Sequence, residues 1–204
     1  MINSLLLLLD IDGTLCPLGP GPDVAMRHLS IRPGSVSFRA DLPEVLAELT
    51  ARYELAWATA WQDNTNLLLA PALGLPALPV VRFTDPAGDE VGFRHTGRTW
   101  KPPSVHRFAV DRPLAWIDDE LHGDAYAWAA TRRIPTKLLS TDPSRGIVDR
   151  EVRSLLAFAR RTRGWALAGQ LSTSRSEPSG ATLNGGSLPT TAPIQSTAVV
   201  RPSP

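Results

Sequence analysis

An unbroken apolar run from Leu5 to Leu9 stops at Asp10-Ile11-Asp12-Gly13-Thr14, where two carboxylates spaced i, i+2 meet a glycine turn. A run with no polar alternation predicts a strand covered on both faces, as in the parallel sheet of an α/β protein. Leu42, Val45, Leu46 and Leu49 recur at helical spacing and predict a helix over 42–52. Glu54 to Thr59 reads as a second strand, Asn64 to Leu73 as a helix stopped near Gly74, and Pro79 to Phe83 as a third strand. Lys101 to Val110 is predicted helical, because Pro102 and Pro103 fall in its first turn, where proline is tolerated. Pro113 to Asp119 is a fourth strand and, like the first, ends in paired acids. Ala125 to Arg133 continues as a helix, Thr136 to Leu139 as a fifth strand, and Asp149 to Arg163 as a closing helix with Val152, Leu155, Leu156 and Ala159 inward. This alternation predicts a three-layer, Rossmann-like α/β fold, a parallel sheet of about five strands with helices on both faces.

The apolar periodicity ends near residue 168. Residues 1–168 are expected to form one domain, and 169–204, rich in Ser, Thr, Gly and Pro, a disordered tail. With 204 residues and 43% hydrophobic content, the chain can bury one substantial core. A net charge of +1, both signs interspersed, leaves nucleic acid possible as a partner but does not indicate it. The leucine run lacks a basic flank and leads straight into acids, so it is read as a core strand and not as a signal peptide. No segment approaches the roughly 18 apolar residues that span a bilayer, and the single Cys16 can form no internal disulfide. A cytoplasmic monomer or weak dimer without a membrane partner is expected. Cys16 beside Pro17, with no evident His partner, reads as packing and not as a nucleophile.

In open α/β sheets ligands bind beyond the carboxyl ends of the strands. Three predicted strand ends bear polar groups there: Asp10 and Asp12, Thr59, and Asp118 and Asp119, with Lys101 one helix before the last pair. Carboxylates crowded at one edge repel one another and call for a cation among them. Oxygen-only ligands suit Mg²⁺ better than zinc.

These motifs resemble the haloacid dehalogenase (HAD) superfamily of aspartate-nucleophile phosphohydrolases over about residues 5–165. Its Asp-x-Asp-x-Thr signature appears as Asp10 to Thr14, its strand ending in Thr or Ser as Ala56 to Thr59, its lysine as Lys101, and its Asp-Asp strand end as Asp118-Asp119. The resemblance implies that Asp10 is the nucleophile, forming an aspartyl-phosphate, and that Asp12 protonates the leaving oxygen and then activates water. It further implies that Thr59 bonds a phosphoryl oxygen, that Lys101 offsets charge, and that Asp10, the backbone carbonyl of Asp12, and Asp118 hold Mg²⁺, with Asp119 beside them. Family dehalogenases lack the second acid, so Asp12 favours phosphoryl chemistry.

Each residue also has a plainer reading. Asp12-Gly13 alone is a turn, Thr59 can cap the helix after it, and Lys101 can be a solvated helix-start lysine. Lys137 lies within a strand and is a poor rival to Lys101. The tryptophans read as packing, except Trp61 and Trp100, which follow or adjoin motif residues and are placed at the mouth of the site. Thr14, Thr59, Lys101, Trp61 and Arg98 form the expected substrate-binding set, with Arg94 and His95 on the same loop as Arg98.

Family members often insert a cap domain after the first or second motif. Here the spacings leave room only for a small flap, near Gly19 to Pro22 and Pro33-Gly34. The expectation is a Mg²⁺-dependent phosphomonoester hydrolase with no sizeable cap, acting on a large or exposed phosphorylated substrate. The rivals are a non-catalytic binding module of the same fold and a phosphotransferase to an acceptor other than water.

Overall fold

The leucine run forms β1 (Leu6–Leu9), and every residue of it is buried. The computed structural model describes residues 4–31, 34–84 and 100–174, with 164–174 described by backbone alone. β1 lies between β4 (Glu54–Trp57) and β5 (Leu114–Asp118), and β6 (Thr136–Ser140) adds beyond β5. All these pairs are parallel, in the order β4-β1-β5-β6. Leu9 stands opposite both Trp57 and Ile117, so the first residues beyond β1 and β4 and the last of β5 come out level. That register gathers Asp10, Thr59 and Asp118 at one sheet edge.

Leu7 and Leu9 face a core shared with Leu42, Leu46 and Leu49 of α1 (Leu42–Thr50) and Leu155, Phe158 and Ala159 of α5 (Asp149–Ser174). Leu6 and Leu8 face the other way, onto Val105 and Ala109 of α3 (Pro102–Ala109) and Ala125 of α4 (Gly123–Thr131). Each strand face thus buries large side chains, each worth about 1.5–3 kcal/mol. This is the α/β sandwich that the alternation predicts. No helix among the described residues is long and apolar enough to cross a membrane.

Three elements differ from the sequence reading. Pro79 to Phe83 is not a strand: it meets the sheet only at a Trp57–Val80 bridge, so the described sheet has four strands and not five. Pro79 has no N–H to give, and the Asn66 side chain takes both backbone groups of Leu78, at 2.9 Å to its nitrogen and 2.8 Å to its oxygen. At the far end the Thr84 carbonyl is taken by Arg107 at 2.9 Å. The predicted helix from Asn64 splits into α2 (Asn64–Leu68) and a 3₁₀ turn (Ala70–Leu73) ended by Gly74 at φ +67°. α5 runs to Ser174, past the predicted end at Arg163; the rest of the expected tail lies outside the described residues.

The room for a flap is filled by an antiparallel hairpin, β2 (Met26–Ile31) and β3 (Gly34–Arg39). Its buried Phe38 joins the core beneath α1, and Arg39, also buried, ties its base to Asp41 at 2.6 Å and Asp149 at 2.8 Å. With Arg27, His28 and Ser30 on a half-solvated strand, β2 offers no apolar run to read.

Candidate active site

Asp10 follows β1 directly and is 4% exposed; Asp118 closes β5 and is fully buried. Between them lies Lys101, at the residue before α3, with Nζ donating to Asp10 Oδ1 and Asp118 Oδ2 at 2.7 Å each. Asp118 Oδ2 also accepts from Trp116 Nε1 at 3.1 Å, and its Oδ1 from the Glu120 amide at 2.9 Å. The rings of Phe83 and Trp100 flank Lys101 Nζ at 5.9 and 5.8 Å, in cation–π range. The adjacent acids on either side hold the Lys101 ammonium firmly protonated against the opposing effect of its burial.

Asp119 completes an acidic triangle: one carboxylate oxygen each from Asp10, Asp118 and Asp119 lies within 4.8 Å of the others. Gly13, at φ +68°, makes room for this. A Cβ there would collide with the Asp119 carboxylate. One lysine does not balance three acids. Burial, with Asp118 and Asp119 adding to it against Lys101, pushes the Asp10 carboxyl well above the ordinary range. Burial, then Asp118 and Glu120, push Asp119 up to about 6. A cluster of hard oxygens short of positive charge is the donor set a divalent cation such as Mg²⁺ fits.

Asp12 points elsewhere. It lies outside the triangle, and its Oδ2 accepts from Trp61 Nε1 at 2.7 Å. Thr59, 1% exposed, accepts from the Trp61 amide at 3.3 Å. A cavity of about 390 Å³ opens over the strand ends, lined by Asp10, Asp12, Leu18, Thr59, Ala60, Trp100, Lys101, Asp119 and Glu120. The Nε1–H of Trp100 is buried without a partner among the described residues.

The structure thus brings Asp10, Asp12, Thr59, Lys101 and Asp119 to one cavity, with Asp118 beneath. Thr14, expected to touch substrate, is fully buried, its hydroxyl 3.2 Å from that of Thr141. Trp61, expected at the mouth, turns its indole N–H inward to Asp12. Arg98, with Arg94 and His95, lies outside the described residues.

Sequence reasoning missed the loop after β6. Thr141 Oγ1 donates to the Gly13 carbonyl at 3.0 Å, and the Ile147 amide to the Thr14 carbonyl at 2.7 Å. Leu18 and Gly21 donate in return to the carbonyls of Pro143 and Ser144, at 2.8 and 3.0 Å. Its Asp142-Pro143 and Arg145-Gly146 turn signals mark a loop, but nothing in them names its partner.

No family model matches this chain. No curated protein matches it either. Among solved structures it is similar to Fcp1, an essential RNA polymerase II CTD phosphatase, at 18% identity and a TM-score of 0.34. The match covers 89% of this chain and 55% of that one, so the chain spans about half the length of Fcp1.

Proposed function

We propose that this protein is a HAD-type phosphohydrolase that cleaves a phosphomonoester through an aspartyl-phosphate on Asp10. The supporting observation is the placement of Lys101 Nζ at 2.7 Å from both Asp10 and Asp118, with Asp12 and Thr59 on the same cavity. Lys101 engages Asp10 Oδ1 and leaves Oδ2 to attack phosphorus. As that P–O bond forms, the ester P–O bond breaks, its electron pair goes to the leaving oxygen, and Asp12 supplies that oxygen with a proton. Asp12 then takes a proton from water, whose oxygen attacks phosphorus and releases Asp10 and inorganic phosphate. Thr59 and Lys101 bond the phosphoryl oxygens where charge builds.

Mg²⁺ would be held by Asp10, Asp118 and Asp119, with the backbone carbonyl of Asp12 as a further oxygen, and would neutralise phosphoryl charge. No domain-sized insertion follows β1 or β4 among the described residues, which favours a substrate whose phosphate projects from a large molecule. A screen of small phosphates, phosphopeptides and 3′- or 5′-phosphorylated oligonucleotides, with Mg²⁺ and with EDTA, tests the reading. Mg²⁺-dependent phosphate release is expected. Mg²⁺ binding without turnover on any class would overturn it in favour of a binding module.

A further inference from the structure

The contact between Trp61 and Asp12 is the least expected in the cavity. Its placement is built into the backbone. The Trp61 amide is fastened to Thr59 Oγ1 at 3.3 Å, and Gln62 closes the turn with its amide on the Thr59 carbonyl at 3.3 Å. Gln62 does so at φ +51°, the left-handed region that side chains with a Cβ rarely adopt. The chain accepts this conformation directly behind Trp61, and the indole reaches across to Asp12 Oδ2 at 2.7 Å.

A carboxyl group held in this way has two unequal oxygens. Indole Nε1–H is a donor only, and a carbonyl-type oxygen accepts better than a carboxyl O–H oxygen, so this contact favours the proton on the other oxygen. Oδ1 accepts no hydrogen bond from the described residues. We infer that Trp61 is a positioning residue that pins Asp12 through Oδ2 and reserves Oδ1 for proton exchange with the leaving oxygen and then with water. This rests on the phosphohydrolase reading above. The proton shuttles on Oδ1 alone: the Oδ1–H bond breaks as the leaving group's O–H forms, and Oδ1 later takes a proton from water. The indole proton stays on Nε1 throughout.

The test uses Trp61→Phe, which keeps an aromatic ring and removes the donor, with two substrates of similar shape. Phenyl phosphate has the poorer leaving group and needs the proton; p-nitrophenyl phosphate needs it much less. Misplacing the acid should lower kcat on phenyl phosphate about 10- to 100-fold. On p-nitrophenyl phosphate the loss should stay within about threefold, as for a step that depends little on proton donation. KM should hold on both. Equal losses on the two esters would reduce Trp61 to a structural role, and a raised KM with unchanged kcat would make it a stacking surface; either overturns the inference. The second readout is the ¹⁵N-indole resonance that disappears in Trp61→Phe. It should move upfield in Asp12→Ala, and a resonance that stays in place overturns the inference whatever the kinetics. Wild-type protein inert toward both esters and toward every class of the phosphatase screen would instead sink the phosphohydrolase reading itself.

Discussion

Asp10 and Asp12 stand two residues apart on one loop and are held by opposite means. Asp10 is buried among charges, with Lys101 at 2.7 Å and Asp118 and Asp119 around it. Asp12 is half-buried and held by a neutral indole donor. Burial and the neighbouring acids push the Asp10 carboxyl up, and Lys101 opposes them by favouring the ionised form that the proposed nucleophile needs. A group that must gain and lose a proton within one turnover is served by a partner without charge, which fixes its orientation and leaves it free to change state.

The sharpest way to break this contrast is to turn each acid into its amide. Asp10→Asn should cost about 10⁶-fold in turnover, the scale on which loss of a covalent nucleophile acts. Asp12→Asn should cost about 10² to 10⁴-fold, less on aryl esters; phosphate release measured on the same substrates compares the two. Next in size is stability. Lys101→Met leaves buried acids uncompensated and should destabilise by about 3–5 kcal/mol in urea titrations near neutral pH. The deficit should shrink on acidification as Asp10 takes up a proton. A partly exposed site such as Asp12 should move stability by only about 0.5 kcal/mol in Asp12→Asn. Equal losses from Lys101→Met and Asp12→Asn would erase the distinction between the charged and the neutral side.

Metal should act on the charged side alone. A cation that binds only the folded state stabilises it by about 2.7 kcal/mol at a hundred times its Kd. Millimolar Mg²⁺ should therefore raise Tm, an effect lost more completely in Asp118→Ala than in Asp119→Ala and kept in Trp61→Phe. The last effect is that of pH in EDTA. Asp119 sits near 6 in the folded protein against about 3.9 when unfolded. The folded state therefore binds the extra proton, and stability should rise as pH falls from 7 toward 4. Asp119→Asn should remove part of that rise and leave the part that belongs to Asp10, whose carboxyl is also pushed up. Below about 4 the sign reverses, because Arg39 holds the Asp41 carboxyl below its ordinary range and that stabilisation fades as Asp41 protonates.

The charged side was legible in the sequence because apolar strands leave their terminal acids conspicuous. Leu5 to Leu9 before Asp10, and Leu114 to Ile117 before Asp118, announce both strand and site. The neutral side was not legible. Trp61 reads as a rim aromatic until the left-handed Gln62 turns it inward, and no residue-type rule places glutamine at positive φ. Pro79 to Phe83 shows the converse failure: it has strand composition, but Asn66 takes the backbone of Leu78 just before it, and its pairing with the sheet goes no further than Trp57. The hairpin escaped because its half-solvated strands carry Arg27, His28, Ser35 and Ser37 where alternation would be sought.

The loop after β6 gives the molecule an order of assembly. The acids of the first loop leave the ribosome well before the Thr141 hydroxyl, which braces Thr14 of that loop from 127 positions further on. At about 5–20 residues per second, Asp10 and Asp12 wait on the order of ten seconds for that brace. Lys101 and Asp118 arrive in the interval, so the nascent chain carries its charges before it carries their frame. Only when Ile147 has docked on Thr14 is the loop closed from both sides. A growing chain cut short before that residue has every acid of the cavity and no finished site.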